Sequence, residues 1–132
     1  MAVQRVPKNE VQHYGIIEAK KIGPRVYKVL DMVENPHPQT APSNLAIIGR
    51  YILPPDIFNI LEDTKPGKGG EIQLTDGLKL LSQKQPIYAY EFEGDRYDAG
   101  DKLGFLKANV AFALKRPDIG KEFKKFLKGV KI

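Results

Sequence analysis

The sequence predicts an α/β chain with mixed, largely antiparallel strands early and helices late. Three observations carry this. Apolar runs before residue 54 are short or alternate with a period of two. After residue 54 the apolar spacing is mostly three to four residues, as in helices. Glycine and proline punctuate the boundaries between runs.

Taken in order, residues 1–10 are polar and contain Pro7, so a strand could begin there with little apolar content. Tyr14-Gly15-Ile16-Ile17-Glu18 reads as a short strand entered through Gly15. Lys20 to Pro24 reads as a turn, and Val26 to Val33 as a mostly buried strand. The connection is too short for a parallel crossover, which makes the pair antiparallel. Pro36, Pro38 and Pro42 make the next stretch a loop. Leu45 to Leu53 reads as a third strand covered on both faces, stopped by Pro54-Pro55.

Pro55 suits the first position of a helix through Ile57, Phe58, Ile60 and Leu61. A glycine-rich loop at 64–70 precedes a second helix, predicted from Glu71 to about Ser82. Within it Thr75-Asp76 is polar in an apolar setting, which points to hydrogen bonds that fix the loop before it. Pro86 to Phe92 alternates as a late strand, and Asp101 is placed to cap a helix over 102–114. That helix carries a stripe of Leu103, Leu106, Val110, Ala113 and Leu114. Pro117 ends it, and a last amphipathic helix carries Ile119, Phe123, Phe126 and Leu127 on one side.

At 132 residues the chain is long enough for one domain spanning 1–132 with a real core. Its 42% hydrophobic and 28% charged residues are ordinary globular composition. Cysteine is absent, which excludes disulfides and thiolate metal sites and is compatible with the expected cytoplasmic location. No stretch reaches the roughly 20 apolar residues of a membrane span, and no membrane partner is expected. The net charge of +5 is concentrated late, in Lys115, Arg116, Lys121, Lys124, Lys125, Lys128 and Lys131 against Asp118 and Glu122. Such a run is ordinarily a solvated helix face. Nucleic-acid binding would rest on that charge alone, without aromatic residues interleaved for stacking, and is not expected.

The candidate site gathers around Val33-Glu34-Asn35-Pro36, where a predicted strand ends in a proline-rich turn. Glu34 has two readings: a solvent-facing charge, or an acceptor for the vicinal hydroxyls of a sugar. Gly15 either makes a turn or lets a ligand touch the backbone amide. Asp98, in Tyr97-Asp98-Ala99-Gly100-Asp101, is either a loop and cap residue or half of a magnesium site. His13 and His37 stand apart from any carboxylate cluster and are assigned to neither metal nor catalysis. Gly67-Lys68-Gly69-Gly70 is glycine-rich, a weak signal by itself.

Three longer stretches carry a resemblance: Ala41-Pro42-Ser43-Asn44-Leu45-Ala46-Ile47-Ile48-Gly49-Arg50-Tyr51, Gly70-Glu71-Ile72-Gln73-Leu74-Thr75-Asp76 and Tyr97-Asp98-Ala99-Gly100-Asp101-Lys102-Leu103-Gly104. In order and spacing they resemble the C-terminal half of bacterial UTP–glucose-1-phosphate uridylyltransferase. The resemblance implies the sugar-binding half of a Rossmann-like nucleotidyltransferase fold, with the N-terminal nucleotide-binding half absent. It implies that Gly15 contacts glucose through its backbone, that Glu34 holds glucose hydroxyls, and that backbone near Ile47 lines the sugar pocket. Asp98 resembles a magnesium-binding aspartate of the family, with Mg2+ weakly bound or lost in this chain.

Two departures stand out. Asn35 occupies the place of a family lysine that neutralises the sugar phosphate, so no catalytic set is complete. Ala99 stands where the family usually has cysteine. The implied partners are a sugar phosphate or UDP-glucose, with a second copy or an N-terminal half to cover orphaned strand edges. The implied activity is that of the parent enzyme, without turnover by this chain alone. The alternative is a non-catalytic sugar-phosphate-binding or oligomerisation module.

Overall fold

In the computed structural model, which describes residues 1–67 and 70–131, five strands close into a small barrel. The strands are β1 (Ala2–Arg5), β2 (Gly15–Gly23), β3 (Val26–Glu34), β4 (Leu45–Ile47) and β5 (Tyr88–Glu91), joined in the order β1-β4-β2-β3-β5. All pairings are antiparallel except β1 with β5, which is parallel and closes the ring. The mixed, mainly antiparallel sheet expected from the sequence is present. Open edges around Ile16, Val29 and Ile47 are not, because closure pairs the edges with one another.

A polar network pins the closing seam. The buried Tyr27 hydroxyl donates to Glu91 Oε2 at 2.6 Å and accepts from Arg5 Nη2 at 3.1 Å. Arg5 also pairs with Glu91 at 3.2 Å, so β1, β3 and β5 share one set of hydrogen bonds. A buried phenol needs such a partner, and here it has both a donor and an acceptor.

The β2–β3 hairpin is longer than the sequence reading, which ends its first strand at Glu18. Strand continues to Gly23, and the turn is Pro24-Arg25, with Arg25 at φ +59°. Two bulges explain why simple alternation fails. Glu18 faces Asp31 and Ala19 faces Val29, so Leu30 is an extra residue and stands exposed. Lys21 faces Tyr27 and Gly23 faces Val26, which does the same to Ile22. The first bulge moves the buried positions of β3 from Tyr27 and Val29 to Met32.

Sequence and structure also differ at β4. The continuous apolar run predicts a strand to Leu53, but pairing ends at Ile47. Gly49 at φ +75° turns the chain there. The three paired residues are buried on both faces, as expected. A 3-10 turn at Lys8–His13, not anticipated, sets Val11 into a cluster with Val6, Ile16 and Ala46. Ile17, Leu45 and Ile47 point the other way, into the main cluster with Val3, Val29 and Met32.

Helices α1 (Asp56–Asp63) and α2 (Leu74–Lys84) add Ile57, Ile60, Leu78 and Leu81 to that main cluster. The helices approach closely because Gly77 has no side chain; a Cβ there would lie 2.6 Å from Leu61. Lys68 and Gly69, the middle of the glycine-rich segment between them, lie outside the described residues.

The sequence reads as one domain, and the chain packs as two compact units, 1–93 and 94–132. The second unit contains α3 (Lys102–Lys115) and α4 (Gly120–Gly129). Asp101 caps α3 as expected, accepting from the Gly104 amide at 2.7 Å. The expected apolar stripe on α3 does not become a buried face: none of the helix's residues is buried, and Leu103, Phe105, Leu106 and Phe112 all stand exposed.

Candidate functional site

Four residues from four elements meet where β2, β3 and β4 end. Gly15 opens β2 and pairs with Glu34, the last residue of β3. A Cβ at position 15 would lie 2.9 Å from Glu34 Oε2, 3.2 Å from Ile47 Cδ1 and 3.4 Å from Thr75 Oγ1. Gly15, Glu34 and Ile47, separated by up to 32 positions in the sequence, are therefore immediate neighbours. Their order along the strands does this: Gly15 and Glu34 are cross-strand partners, and Ile47 ends the strand on the other side of β2.

Glu34 is half-buried and held. The Thr75 hydroxyl donates a short hydrogen bond to its Oε2. Thr75 lies in the first turn of α2, where the partial positive charge of a helix N-terminus favours a carboxylate. One turn further, Lys79 pairs with Asp31 of β3 at 2.8 Å, so residues four apart on α2 grip β3 at two points. The Lys79 hydrogen bond is the main cause that holds the Asp31 carboxyl below its usual range. Tyr51 completes the surroundings: burial, and then the Glu34 charge, push its phenol above the ordinary value.

This arrangement departs from a plain solvent-facing charge at Glu34. One carboxylate oxygen is held by Thr75 of α2, beside Gly15 of β2. The role of Gly15 is also concrete, since any side chain there would strike the carboxylate. Sequence reasoning did not find Thr75 or Tyr51 as neighbours of Glu34. The polar Thr75 within an apolar helix was the available signal, but its partner lies 41 positions earlier.

Asn35 follows Glu34 directly and adopts φ +48°, a conformation asparagine tolerates better than other side-chain-bearing residues. Its amide donates to the Tyr14 carbonyl at 3.0 Å, which clamps the loop after β3 against the chain entering β2. Gln12, His13, Asn35, Pro36 and His37 line an open basin of about 710 Å3 there.

Asp98 belongs to the second unit. Its Oδ2 accepts from Arg96 at 2.9 Å and its Oδ1 from the Gly100 amide at 3.0 Å. Its backbone carbonyl closes on the start of α3, where a Cβ at Gly104 would lie 2.1 Å away. These contacts are loop and helix-entry chemistry. Asp98 keeps an exposed carboxylate there, one of the one or two that a magnesium ion takes beside substrate phosphates. Among the described residues no three histidine or acidic side chains gather as a metal-binding group.

The fold and the match of residues 1–115 to the family model described as nucleotidyl transferase show that the chain belongs to that family. Its relatives narrow the comparison. The chain is 49% identical over 133 aligned residues to the UTP–glucose-1-phosphate uridylyltransferase of Staphylococcus epidermidis, covering 100% of this chain and 46% of that protein. The Staphylococcus haemolyticus enzyme of the same name is 51% identical over 97% of this chain and 44% of its own.

Solved structures agree. A UDP-glucose pyrophosphorylase complexed with UDP-glucose superimposes with a TM-score of 0.82 at 50% identity, over 87% of this chain and 44% of that one. The UTP-bound enzyme from Acinetobacter baumannii gives 0.88 at 37% identity, over 99% and 45%. The chain thus spans about half the length of the curated relatives it matches.

Proposed function

We propose that this chain supplies the sugar-phosphate-binding part of a uridylyltransferase, the reaction that joins UTP and glucose 1-phosphate into UDP-glucose with release of pyrophosphate. The convergence of Gly15, Glu34, Ile47 and Thr75 at the strand ends carries the reading. Thr75 holds one oxygen of Glu34, which leaves the carboxylate oriented to accept hydrogen bonds from two adjacent sugar hydroxyls. Gly15 gives that carboxylate its room, and the backbone beside Ile47 forms a wall of the same corner.

In such a transfer, a phosphate oxygen of the sugar phosphate attacks the α-phosphorus of the nucleotide, and pyrophosphate carries away the bonding electron pair. Catalysis consists chiefly of alignment and charge neutralisation. The residues placed here would serve alignment of the sugar. The neutral Asn35 brings no charge to the phosphate, and Asp98 would serve magnesium together with substrate phosphates. The 132-residue chain by itself is therefore assigned binding and not turnover, with the cytoplasm as its compartment.

The second reading, a non-catalytic module for sugar-phosphate binding or assembly, is favoured by Asn35 and by the exposed apolar side chains of α3. Both readings share the sugar site. Calorimetric titration of glucose 1-phosphate tests it: wild type should bind, and Glu34→Ala should lose at least about tenfold in affinity, as expected for charge-assisted hydrogen bonds. Chelation of divalent metal should leave that affinity unchanged. Equal binding by wild type and Glu34→Ala would overturn the site. UDP-glucose formation by the purified chain would overturn the assignment of binding without turnover.

A further inference from the structure

The two units differ in charge. Residues 94–132 hold ten of the 21 lysines and arginines and five of the 16 acidic residues. The whole +5 therefore resides in this unit, and residues 1–93 balance to zero. Arg116 and Asp118 satisfy each other through contacts of 2.5 and 2.9 Å. Among the described residues no ion pair engages Lys121, Lys124, Lys125 or Lys128, all of them exposed.

The same segment exposes an apolar line. Ile119, Phe126 and Val130, spaced seven and four residues apart, run along one side of α4 and stand 42%, 65% and 46% exposed. Helical periodicity puts Lys121, Lys125 and Lys128 on the opposite side. A different part of α4 rests on α3. A Cβ at the buried Gly120 would lie 2.6 Å from the Leu114 carbonyl oxygen, and Leu127 shares a groove with Leu114. The match to the family model ends at residue 115, so α4 lies outside the segment that defines the family.

From this we infer that α4 lies on the surface of an anionic lipid bilayer, its apolar line toward the acyl chains and its lysines among the headgroups. The inference is independent of the sugar reading. Charge complementarity chooses the occupant. A second copy would set +5 against +5. A nucleic acid would take the lysines and leave Phe126 in water. A bilayer meets both needs, because lysine stems lie along apolar surface while the ammonium stays in the headgroup layer. Among the described residues no helix is long and apolar enough to cross a membrane, so the contact is peripheral. The expectation of no membrane partner rests on the lack of a span, and a surface helix needs none.

Flotation of the purified chain with phosphatidylcholine vesicles, with and without about one third phosphatidylglycerol, tests this. Wild type should float with the anionic vesicles and stay behind with the neutral ones. Raising salt from about 0.05 M to about 0.5 M should weaken binding by about tenfold or more. Lys121→Gln/Lys124→Gln/Lys125→Gln/Lys128→Gln should lose about a hundredfold, and Phe126→Ser about tenfold. Leu30→Ser, which removes an exposed apolar residue from the neutral unit, should float like wild type. The chain has no tryptophan, so Phe126→Trp reports the contact itself: its emission should move to the blue only with anionic vesicles. The substituted side chains are exposed, and circular dichroism checks that α4 persists in each variant.

Equal flotation with neutral vesicles, or a Phe126→Trp emission that does not move, would overturn the inference. So would vesicle binding that Phe126→Ser leaves intact, with equal binding to a DNA duplex, since charge alone would then account for it. Self-association without vesicles that Phe126→Ser abolishes would give the apolar line to a second copy and overturn it too. None of these results touches the titration of glucose 1-phosphate into wild type and Glu34→Ala, so the two readings fail separately.

Discussion

The barrel and the C-terminal helices use apolar residues in opposite ways. In residues 1–93, two buried clusters form from apolar side chains, and α1 and α2 each add a buried face to the larger one. In α3 the apolar residues lie all round the helix and none is buried. The difference teaches that apolar content alone does not make a core. A barrel strand spends every second residue on the same interior, whereas a helix of Leu, Phe and Ala without a polar side has no single face to bury.

The largest expected effect tests that contrast directly. Leu78, fully buried between α2 and the barrel, should cost about 3 kcal/mol on truncation to alanine, from lost burial and the cavity left behind. Leu106 on α3, 61% exposed, should cost no more than about 0.5 kcal/mol. Urea unfolding of the two variants measures both. Comparable losses would mean that α3 is covered in solution, and concentration-dependent sedimentation would then show whether a second copy covers it.

A smaller effect concerns the joint between strand and site. Asn35→Ala should destabilise by about 1 kcal/mol, because alanine lacks the short polar side chain that makes a left-handed backbone tolerable. Asn35→Gly should be close to neutral. Thermal melts of the pair separate backbone strain from loss of the side chain.

The smallest effect is the ion pair that fastens α2 to β3. Asp31 has a depressed folded pKa, so its contribution is present above the ordinary carboxylate range and is lost as pH falls through the folded value. With both partners partly solvated, Asp31→Asn should lower stability by about 0.5 kcal/mol at neutral pH. It should match wild type once the pH lies below the folded value. Denaturation curves at the two pH values provide the check, and a deficit that persists in acid would assign the loss to packing.

Much of the barrel's material is legible in the chain. Alternation marks β3 and β5, prolines mark the loop at 36–42, and Asp101 announces α3. Where reading fails, the cause is local geometry that leaves little trace in residue type. The bulges at Leu30 and Ile22 shift the alternation, and the left-handed turn at Gly49 cuts β4 short of the end of its apolar run. The open sheet edges fail for another reason: closure depends on a parallel contact between β1 and β5, at opposite ends of the barrel sequence.

The candidate site divides the same way. Gly15 and Glu34 stand out in the sequence through strand-end position, and Ile47 through family likeness. Only the tertiary structure decides that they share one corner, that Thr75 orients the carboxylate, and that His13 and His37 flank Asn35 in one basin. The sequence by itself determined most of the elements and the family, because periodicity, punctuation and long motifs are local properties of a chain. The arrangement of the site belonged to the tertiary structure, because a hydrogen bond across 41 positions or a basin between two strand ends exists only after the intervening chain has packed.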